Sequence, residues 1–158
     1  MATILTIDQN DVVRRLIREV LQRAGYCVVE AATIREVIEQ LVLEEPAVII
    51  LDCMLGGPGL GLDLLRELRT TPRTRHIPVV VTTGVPEPDI DARLRHCGAS
   101  AFLLKPFGPR DLVQAVAIAL ALTPQPAAAA EASRGGKENK QDSPQSPRRQ
   151  PKLAGPPA

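Results

Sequence analysis

The stretch Val48-Ile49-Ile50-Leu51-Asp52 is a run of four aliphatic residues followed at once by a carboxylate. Three other mainly apolar runs of the same length are also followed by a polar side chain: 4–7 before Asp8, 79–82 before Thr83 and 101–104 before Lys105. Such runs are typical of strands that are buried on both faces of a parallel sheet. Because the carboxyl ends of parallel strands meet at one edge, we expect the four polar side chains to surround one crevice.

Helical periodicity fills the segments between these runs. The apolar positions are Val12, Val13, Leu16, Ile17, Val20 and Leu21 in the first helix, Ile34, Val37, Ile38, Leu41 and Val42 in the second, Leu62, Leu64, Leu65 and Leu68 in the third, Ile90, Leu94 and Cys97 in the fourth, and the stretch 109–122 in the fifth. Asn10 or Asp11 is expected to cap the first helix, Gly25 to end it and Thr33 to begin the second. A further short strand is predicted over 26–30, and the third strand over 47–51.

Strand and helix therefore alternate five times, which predicts an α/β fold. The length fits a flavodoxin-like, doubly wound, five-stranded parallel sheet of order 2-1-3-4-5 with five helices. The switch point of that topology lies between the first and third strands, which end at Asp8 and Asp52. Topology alone thus favours these two carboxylates as the site.

The composition changes at Thr123. Residues 1–122 carry 13 Lys and Arg against 15 Asp and Glu, whereas residues 123–158 carry 6 against 3 and have Leu153 as their single Leu. The sequence predicts a folded domain over 1–122 and a disordered, Pro/Ala-rich basic tail over 123–158. The tail charge is weak evidence for a nucleic-acid or membrane partner, and solvation explains it better. Kinase-like strings at Ser143-Pro144 and 146–149 are expected by chance in such sequence.

Cysteine usage and hydropathy indicate an intracellular protein. Cys27, Cys53 and Cys97 lack metal-ligand spacing, and we expect them to be buried or neutral thiols in a reducing compartment. No run of about 18 apolar residues predicts a membrane span, and the first strand begins too early for a signal peptide. A cytoplasmic location without membrane association is expected.

Four blocks resemble the receiver domain of two-component response regulators. They are Ile-Leu-Thr-Ile-Asp-Gln-Asn at 4–10, Val-Ile-Ile-Leu-Asp-Cys-Met at 48–54, Ile-Pro-Val-Val-Val-Thr-Thr-Gly at 77–84 and Gly-Ala-Ser-Ala-Phe-Leu-Leu-Lys-Pro-Phe at 98–107. Their order and spacing are those of the family, and the resemblance covers residues 3–121.

The resemblance implies a role for each residue of the predicted site. Asp52 would be the phosphoacceptor, with Mg²⁺ held by Asp8, Gln9, Asp52 and the carbonyl of Met54. Thr83 and Lys105 would contact phosphoryl oxygens. Thr83 and Phe102 would form the conformational switch, and the Lys105-Pro106 peptide bond would be cis.

Two departures from the family pattern bear on this site. Gln9 stands where the family usually has a second acid, so Mg²⁺ binding is expected to be weak, unless the amide oxygen substitutes adequately. The loop 55–61 is one residue longer and richer in Gly than is usual, which alters the metal shell or partner docking, or else is neutral drift. Met54 and Val85, both apolar, would border the approach of hydrolytic water.

We expect an intracellular phosphorelay switch, phosphorylated on Asp52 by a histidine kinase or phosphotransfer protein. Because no output domain is recognisable, output would pass to a downstream protein through helix four, strand five and helix five, without direct DNA binding. The only catalysis expected is phosphoryl transfer to its own Asp52. The alternative is a pseudo-receiver scaffold that binds partners without phosphorylation. A nucleotide-binding enzyme is disfavoured because 8–11 is acidic and lacks Gly.

Ordinary structural roles compete with each of these assignments. Asp8 and Asp52 could be helix caps or turn residues. Thr83 could cap helix four, Lys105 could be a solvated surface residue, and Phe102 could belong to the core. The agreement of several residues at receiver spacing favours the functional interpretation.

Overall fold

Five parallel strands form one sheet in a computed structural model that describes residues 1–84 and 88–122. The strands are β1 (Thr3–Ile7), β2 (Cys27–Ala31), β3 (Val48–Asp52), β4 (Val79–Thr83) and β5 (Ala101–Leu104). Their order is β2-β1-β3-β4-β5, and each neighbouring pair is parallel. The predicted sheet of order 2-1-3-4-5 is confirmed.

Helices follow each strand in the described part of the chain. They are α1 (Asp11–Arg23), α2 (Ile34–Leu43), α3 (Leu60–Thr70), α4 (Ile90–His96) and α5 (Pro109–Ala121). Asn10 is the residue that caps α1, because its side-chain oxygen accepts the N–H of Val12 at 2.9 Å. Thr33 caps α2 as predicted, since its hydroxyl accepts the N–H of Glu36 at 3.2 Å.

Two apolar layers cover the two faces of the sheet. One lies against α1 and α5 and contains Ile17 and Leu112. The other lies against α2, α3 and α4 and contains Val37, Leu65 and Leu94. All five residues of β1, β3 and β4 are buried, as their continuous apolar sequence requires. The rigid central strands thus fix the positions at which Asp8 and Asp52 emerge.

Helix α2 is more exposed than its periodicity predicts. Of its predicted inner positions only Val37 is fully buried, whereas the side chains of Ile38 and Val42 are 58% and 68% exposed. The helix lies over the edge strand β2, where the sheet offers it less surface to cover. An apolar groove lined by residues of α2 and α3 results, with a volume of about 230 Å³.

Three smaller expectations also need correction. Strand β2 begins one residue later than predicted, at Cys27. Helix α3 begins at Leu60, so that Gly61 is a buried helical residue rather than part of the loop. Cys27 is exposed, while Cys53 and Cys97 are half-buried. Cys27 is the first residue of β2, which is an edge strand.

Some predictions concern residues outside the described part of the chain. They are those made for Val85, for the tail 123–158 and for its serines. Within the described ranges, none of the helices has the length and apolarity needed to cross a bilayer.

Candidate functional site

Two carboxylates and an ammonium group converge at the carboxyl edge of the sheet. Asp8 follows β1 and Asp52 ends β3, and these residues are 2% and 7% exposed. The Nζ atom of Lys105 lies 2.8 Å from Oδ2 of Asp8 and 3.6 Å from Oδ1 of Asp52. One cation therefore offsets two negative charges that are largely removed from water.

The aspartates also accept backbone hydrogen bonds of the kind made by turn residues. Oδ1 of Asp8 accepts the N–H of Asn10 at 2.9 Å, and Oδ1 of Asp52 accepts the N–H of Met54 at 3.1 Å. Neither residue is a helix cap, since Asn10 caps α1 and Gly59 precedes α3. These backbone hydrogen bonds orient the same carboxylates that contact Lys105, so each aspartate is both a turn residue and a member of the site.

The position of Lys105 is fixed by β4 and by its own chain. Its backbone N–H donates to the carbonyl of Thr83 at 2.7 Å, which extends the β4–β5 pairing by one residue. The Lys105-Pro106 peptide bond is cis, as predicted. The Lys105 side chain is 25% exposed. The competing prediction, that Lys105 is a freely solvated surface residue, is therefore wrong.

Thr83 is the last residue of β4 and is 3% exposed. Its neighbour Thr82 pairs with Asp52 in the sheet register, so Thr83 lies one residue further along the edge at which Asp52 emerges. Asp89, and not Thr83, occupies the N-cap position of α4. The helix-capping interpretation of Thr83 is therefore wrong.

Burial raises the pKa of the Asp52 carboxyl above its ordinary value, and the charge of Asp8 adds to this rise. The N–H of Met54 and the ammonium of Lys105 act in the opposite direction, because they favour the ionised form. The net direction is upward. A carboxylate whose negative charge is only partly offset is stabilised most when a cation binds to it or when its oxygen forms a new bond.

Gly61 is a site residue that sequence reasoning missed. A Cβ atom at this position would lie 2.4 Å from the carbonyl oxygen of Cys53 and 2.7 Å from that of Asp52. Only Gly allows the first turn of α3 to approach the end of β3 so closely. The available signal was a Gly inside the apolar pattern of a helix that follows the acidic strand end.

Arg14 was missed as well. Its guanidinium donates to the backbone carbonyl of Asp8 at 2.6 Å, lies 3.4 Å from Glu30 and contacts Asp11. The side chain is 13% exposed. Arg14 thereby ties α1 to the end of β1, and its place one turn into the helix after Asp8 was the signal.

The predicted metal ligands differ in their exposure and in the hydrogen bonds that they already make. Gln9 is exposed, and Met54 is 41% exposed with its carbonyl accepting the N–H of Gly57 at 2.9 Å. Across residues 1–84 and 88–122, no group of three His, Cys, Asp or Glu side chains is arranged to hold a metal. Asp8 and Asp52 nevertheless supply carboxylate oxygens in one crevice, which are ligands that Mg²⁺ prefers.

Phe102 lies at a boundary between core and surface. It is half-buried and packs against the apolar layer beneath α4. The Cζ atom of Arg95 lies 5.3 Å from the centroid of its ring. The ring is therefore neither fully in the core nor free in solvent.

Sequence comparison identifies the family to which this site belongs. The family model described as "Response regulator receiver domain" matches residues 4–117. This chain belongs to the response regulator receiver domain family. The phosphate regulon transcriptional regulatory protein PhoB of Pseudomonas aeruginosa is 35% identical over 111 residues, covering 70% of this chain and 48% of PhoB. The transcriptional regulatory protein PdtaR of Mycobacterium tuberculosis is 31% identical over 118 residues, covering 74% and 56%.

Solved receiver structures share the architecture. A putative response regulator from Chloroflexus aurantiacus J-10-fl is 34% identical with a TM-score of 0.67, covering 76% of this chain and 98% of that structure. The chemotaxis response regulator CheY4 of Vibrio cholerae is 28% identical with a TM-score of 0.69, covering 76% and 99%. The chain spans about half the length of the curated relatives it matches.

Family membership establishes a coarse function. This chain is a receiver domain of two-component signalling, which is a signalling module and not a classical enzyme. Receiver domains interact with histidine kinases or phosphotransfer proteins, and they typically bind Mg²⁺ at the phosphorylation site.

Proposed function

We propose that this receiver accepts a phosphoryl group on Asp52 from a histidine kinase or phosphotransfer protein and transmits its state through protein–protein contacts. The observation that carries the proposal is the placement of Lys105. Its ammonium lies between Asp8 and Asp52 at the switch point of the sheet. An unreactive crevice has no need for two buried carboxylates that share one cation.

In the proposed transfer, an oxygen of Asp52 attacks the phosphorus of the donor. A new O–P bond forms while the bond from phosphorus to the donor breaks, and the leaving nitrogen or oxygen of the donor keeps the electron pair. Lys105 attracts a phosphoryl oxygen, and the hydroxyl of Thr83 donates to another. The raised pKa of Asp52 matters here, because a poorly stabilised carboxylate is the better nucleophile.

A divalent cation in this crevice would be held by Asp8, Asp52, the carbonyl of Met54 and the amide oxygen of Gln9. When bound, Mg²⁺ offsets the negative charge that the attacking carboxylate and the phosphoryl group bring together. With two carboxylates in the ligand set rather than three, the charge available to attract the ion is smaller. We therefore infer weak Mg²⁺ binding.

The effector surface proposed for this receiver is the face of α4, β5 and α5. Two large apolar side chains on this face, Leu104 and Ile118, are 52% and 46% exposed. Phe102 lies on the same strand as Leu104 and connects this face to the core. A change in the Phe102 ring would thus alter the surface that a downstream protein contacts. The absence of direct DNA binding stays a prediction.

The test is phosphate-affinity electrophoresis after incubation of the full chain with acetyl phosphate and Mg²⁺. The native protein is expected to give a retarded band, and Asp52→Asn is expected to give none, because Asn keeps the shape and removes the nucleophile. Exposed Asp63→Asn serves as the control and should label like the native protein. Labelling of Asp52→Asn would move the acceptor elsewhere and refute the site.

The second candidate is a pseudo-receiver that binds partners without phosphoryl chemistry. The exposed, uncharged Gln9 favours it, since a missing carboxylate weakens the metal site. In that case neither protein gives a retarded band at any Mg²⁺ concentration, while Asp52→Asn remains folded. The electrophoresis experiment therefore separates the two candidates.

A further inference from the structure

Arg95 lies in the last turn of α4 with its guanidinium over the Phe102 ring, at 5.3 Å from Cζ to the centroid. A cation within about 6 Å of a ring centroid is attracted by the electron density of the ring face. Among residues 1–84 and 88–122, the ring is the only partner that the structure gives to the Arg95 guanidinium. The contact thus favours the observed positions of both side chains.

The sheet register relates Phe102 to Thr83. Phe102 pairs with Val81, and Leu104 pairs with Thr83. Because alternate residues of a strand project to the same face, the side chains of Phe102 and Thr83 lie on one face of the sheet. The Phe102 ring is therefore diagonally adjacent to Thr83, because its partner Val81 lies two residues before Thr83 along β4.

We propose that Arg95 is a positioning residue that holds the Phe102 ring under α4 and away from Thr83. The inference deepens the proposed function and rests on it for the role of Thr83 in contacting a phosphoryl group. A ring that moves toward Thr83 must leave the guanidinium, so the cation–π contact favours the ring position of the unmodified protein. Arg95 thereby sets the balance between the two ring positions. That balance determines how readily a change at the site is accompanied by a change at the α4–β5–α5 face.

The chemistry of Phe explains why an external group is needed. A Phe ring has no hydroxyl, so no hydrogen bond can anchor it in a half-buried position. Packing against the apolar layer that contains Leu94 restrains one side of the ring, and the guanidinium covers another. For a contact at an exposed cation, the expected bias between ring positions is about two- to fivefold.

The chain contains only two Phe residues, so ring-labelled phenylalanine gives a simple carbon-13 spectrum of the full protein. Phe107→Leu assigns the two signals. Arg95→Met removes the cation and keeps an unbranched stem, Arg95→Lys keeps a cation, and Arg73→Met, at an exposed position after α3, controls for lost charge.

In unmodified protein, Arg95→Met is expected to raise the minor ring population about two- to fivefold and to shift the Thr83 amide resonance. Arg95→Lys should stay close to the native spectrum, as should Arg73→Met. Native-like spectra for Arg95→Met would refute the proposal. Equal shifts in the Lys and Met variants would also refute it, because shape rather than charge would then hold the ring.

The same samples, treated with acetyl phosphate and Mg²⁺, keep this proposal separate from the proposed function. If Asp52 is not labelled in any variant while Arg95→Met still moves the ring, phosphorylation is refuted and the positioning role stands. If Asp52 is labelled and Arg95→Met leaves the ring and Thr83 signals unchanged, the positioning role alone is refuted.

Discussion

The ammonium of Lys105 lies closer to Asp8 than to Asp52, with distances from Nζ of 2.8 Å and 3.6 Å. Asp8 therefore forms the closer ion pair with Lys105, while Asp52 interacts with the ammonium group more weakly because it is farther away. This difference keeps Lys105 in the crevice beside Asp52, whose pKa is raised by burial. The arrangement suits a nucleophile beside a prepositioned cation.

Lys105→Gln should destabilise the protein at neutral pH. The substitution leaves two buried carboxylates without their shared cation, and breaking a fully buried pair costs about 3–5 kcal/mol. Because the Lys105 side chain is 25% exposed, solvent reduces the loss, and we expect about 1–3 kcal/mol in the free energy of unfolding. Urea denaturation at pH 7 measures it.

The loss should shrink toward pH 4, as Asp52 takes up a proton and needs no counter-charge. Arg35→Gln is the control, because the Arg35–Glu39 pair is 89% and 57% exposed and its removal should change stability by less than about 0.5 kcal/mol. A loss for Lys105→Gln that is equal at both pH values would mean that the charge of Asp52 does not contribute to the stabilisation by Lys105.

Asp52→Asn should stabilise the fold at neutral pH. The folded-state pKa of Asp52 lies above its unfolded value, chiefly through burial, so ionisation of this group opposes folding. Stability linked to Asp52 is fully present below the unfolded pKa and declines as pH rises through the folded pKa. The neutral Asn removes this decline. Thermal melts at pH 3.5 and pH 7 should give a positive difference in Tm only at pH 7, and a negative one there would contradict the pKa direction.

The strand ends of this site follow from sequence because parallel-sheet geometry is restrictive. Once 4–7 and 48–51 are identified as buried strands, the topology forces Asp8 and Asp52 to one edge. Lys105 joins them because β5 must pair with β4. No comparable rule fixes how closely a helix approaches the sheet, so the site residues that depend on helix placement were harder to predict.

Gly61 and Arg14 illustrate that difficulty. The role of Gly61 depends on how closely α3 approaches β3, which is a distance between elements and not a local pattern. Arg14 bonds to a backbone carbonyl of Asp8, which any residue type would offer. The exposure of α2 has the same origin, since periodicity gives the apolar face of a helix but not the area of sheet available to cover it.

Gln9→Asp should tighten Mg²⁺ binding. The substitution adds a carboxylate to a site with two, and hard divalent cations prefer charged oxygen ligands. Since even outer ligand partners change metal affinity by about 10–100-fold, we expect a gain of about tenfold or more. Mg²⁺ titration followed by the amide resonance of Met54 measures it. Gln9→Asn, which stays neutral, should leave the affinity unchanged, and equal affinity of the Asp variant would show that Gln9 costs the site nothing.

The lifetime of phospho-Asp52 should depend on Met54. Hydrolysis needs a water in line behind the phosphorus, and the apolar Met54 side chain, two residues after the acceptor and 41% exposed, cannot orient that water by hydrogen bonding. Met54→Asn should speed loss of the phosphoryl group by roughly threefold to tenfold, or about 0.7–1.4 kcal/mol of activation free energy. The measurement is decay of the retarded band after acetyl phosphate is removed. Leu60→Asn, at an equally exposed position in the following helix, should decay like the native protein. If native protein and Met54→Asn decay at one rate, Met54 does not shield the phosphoryl group.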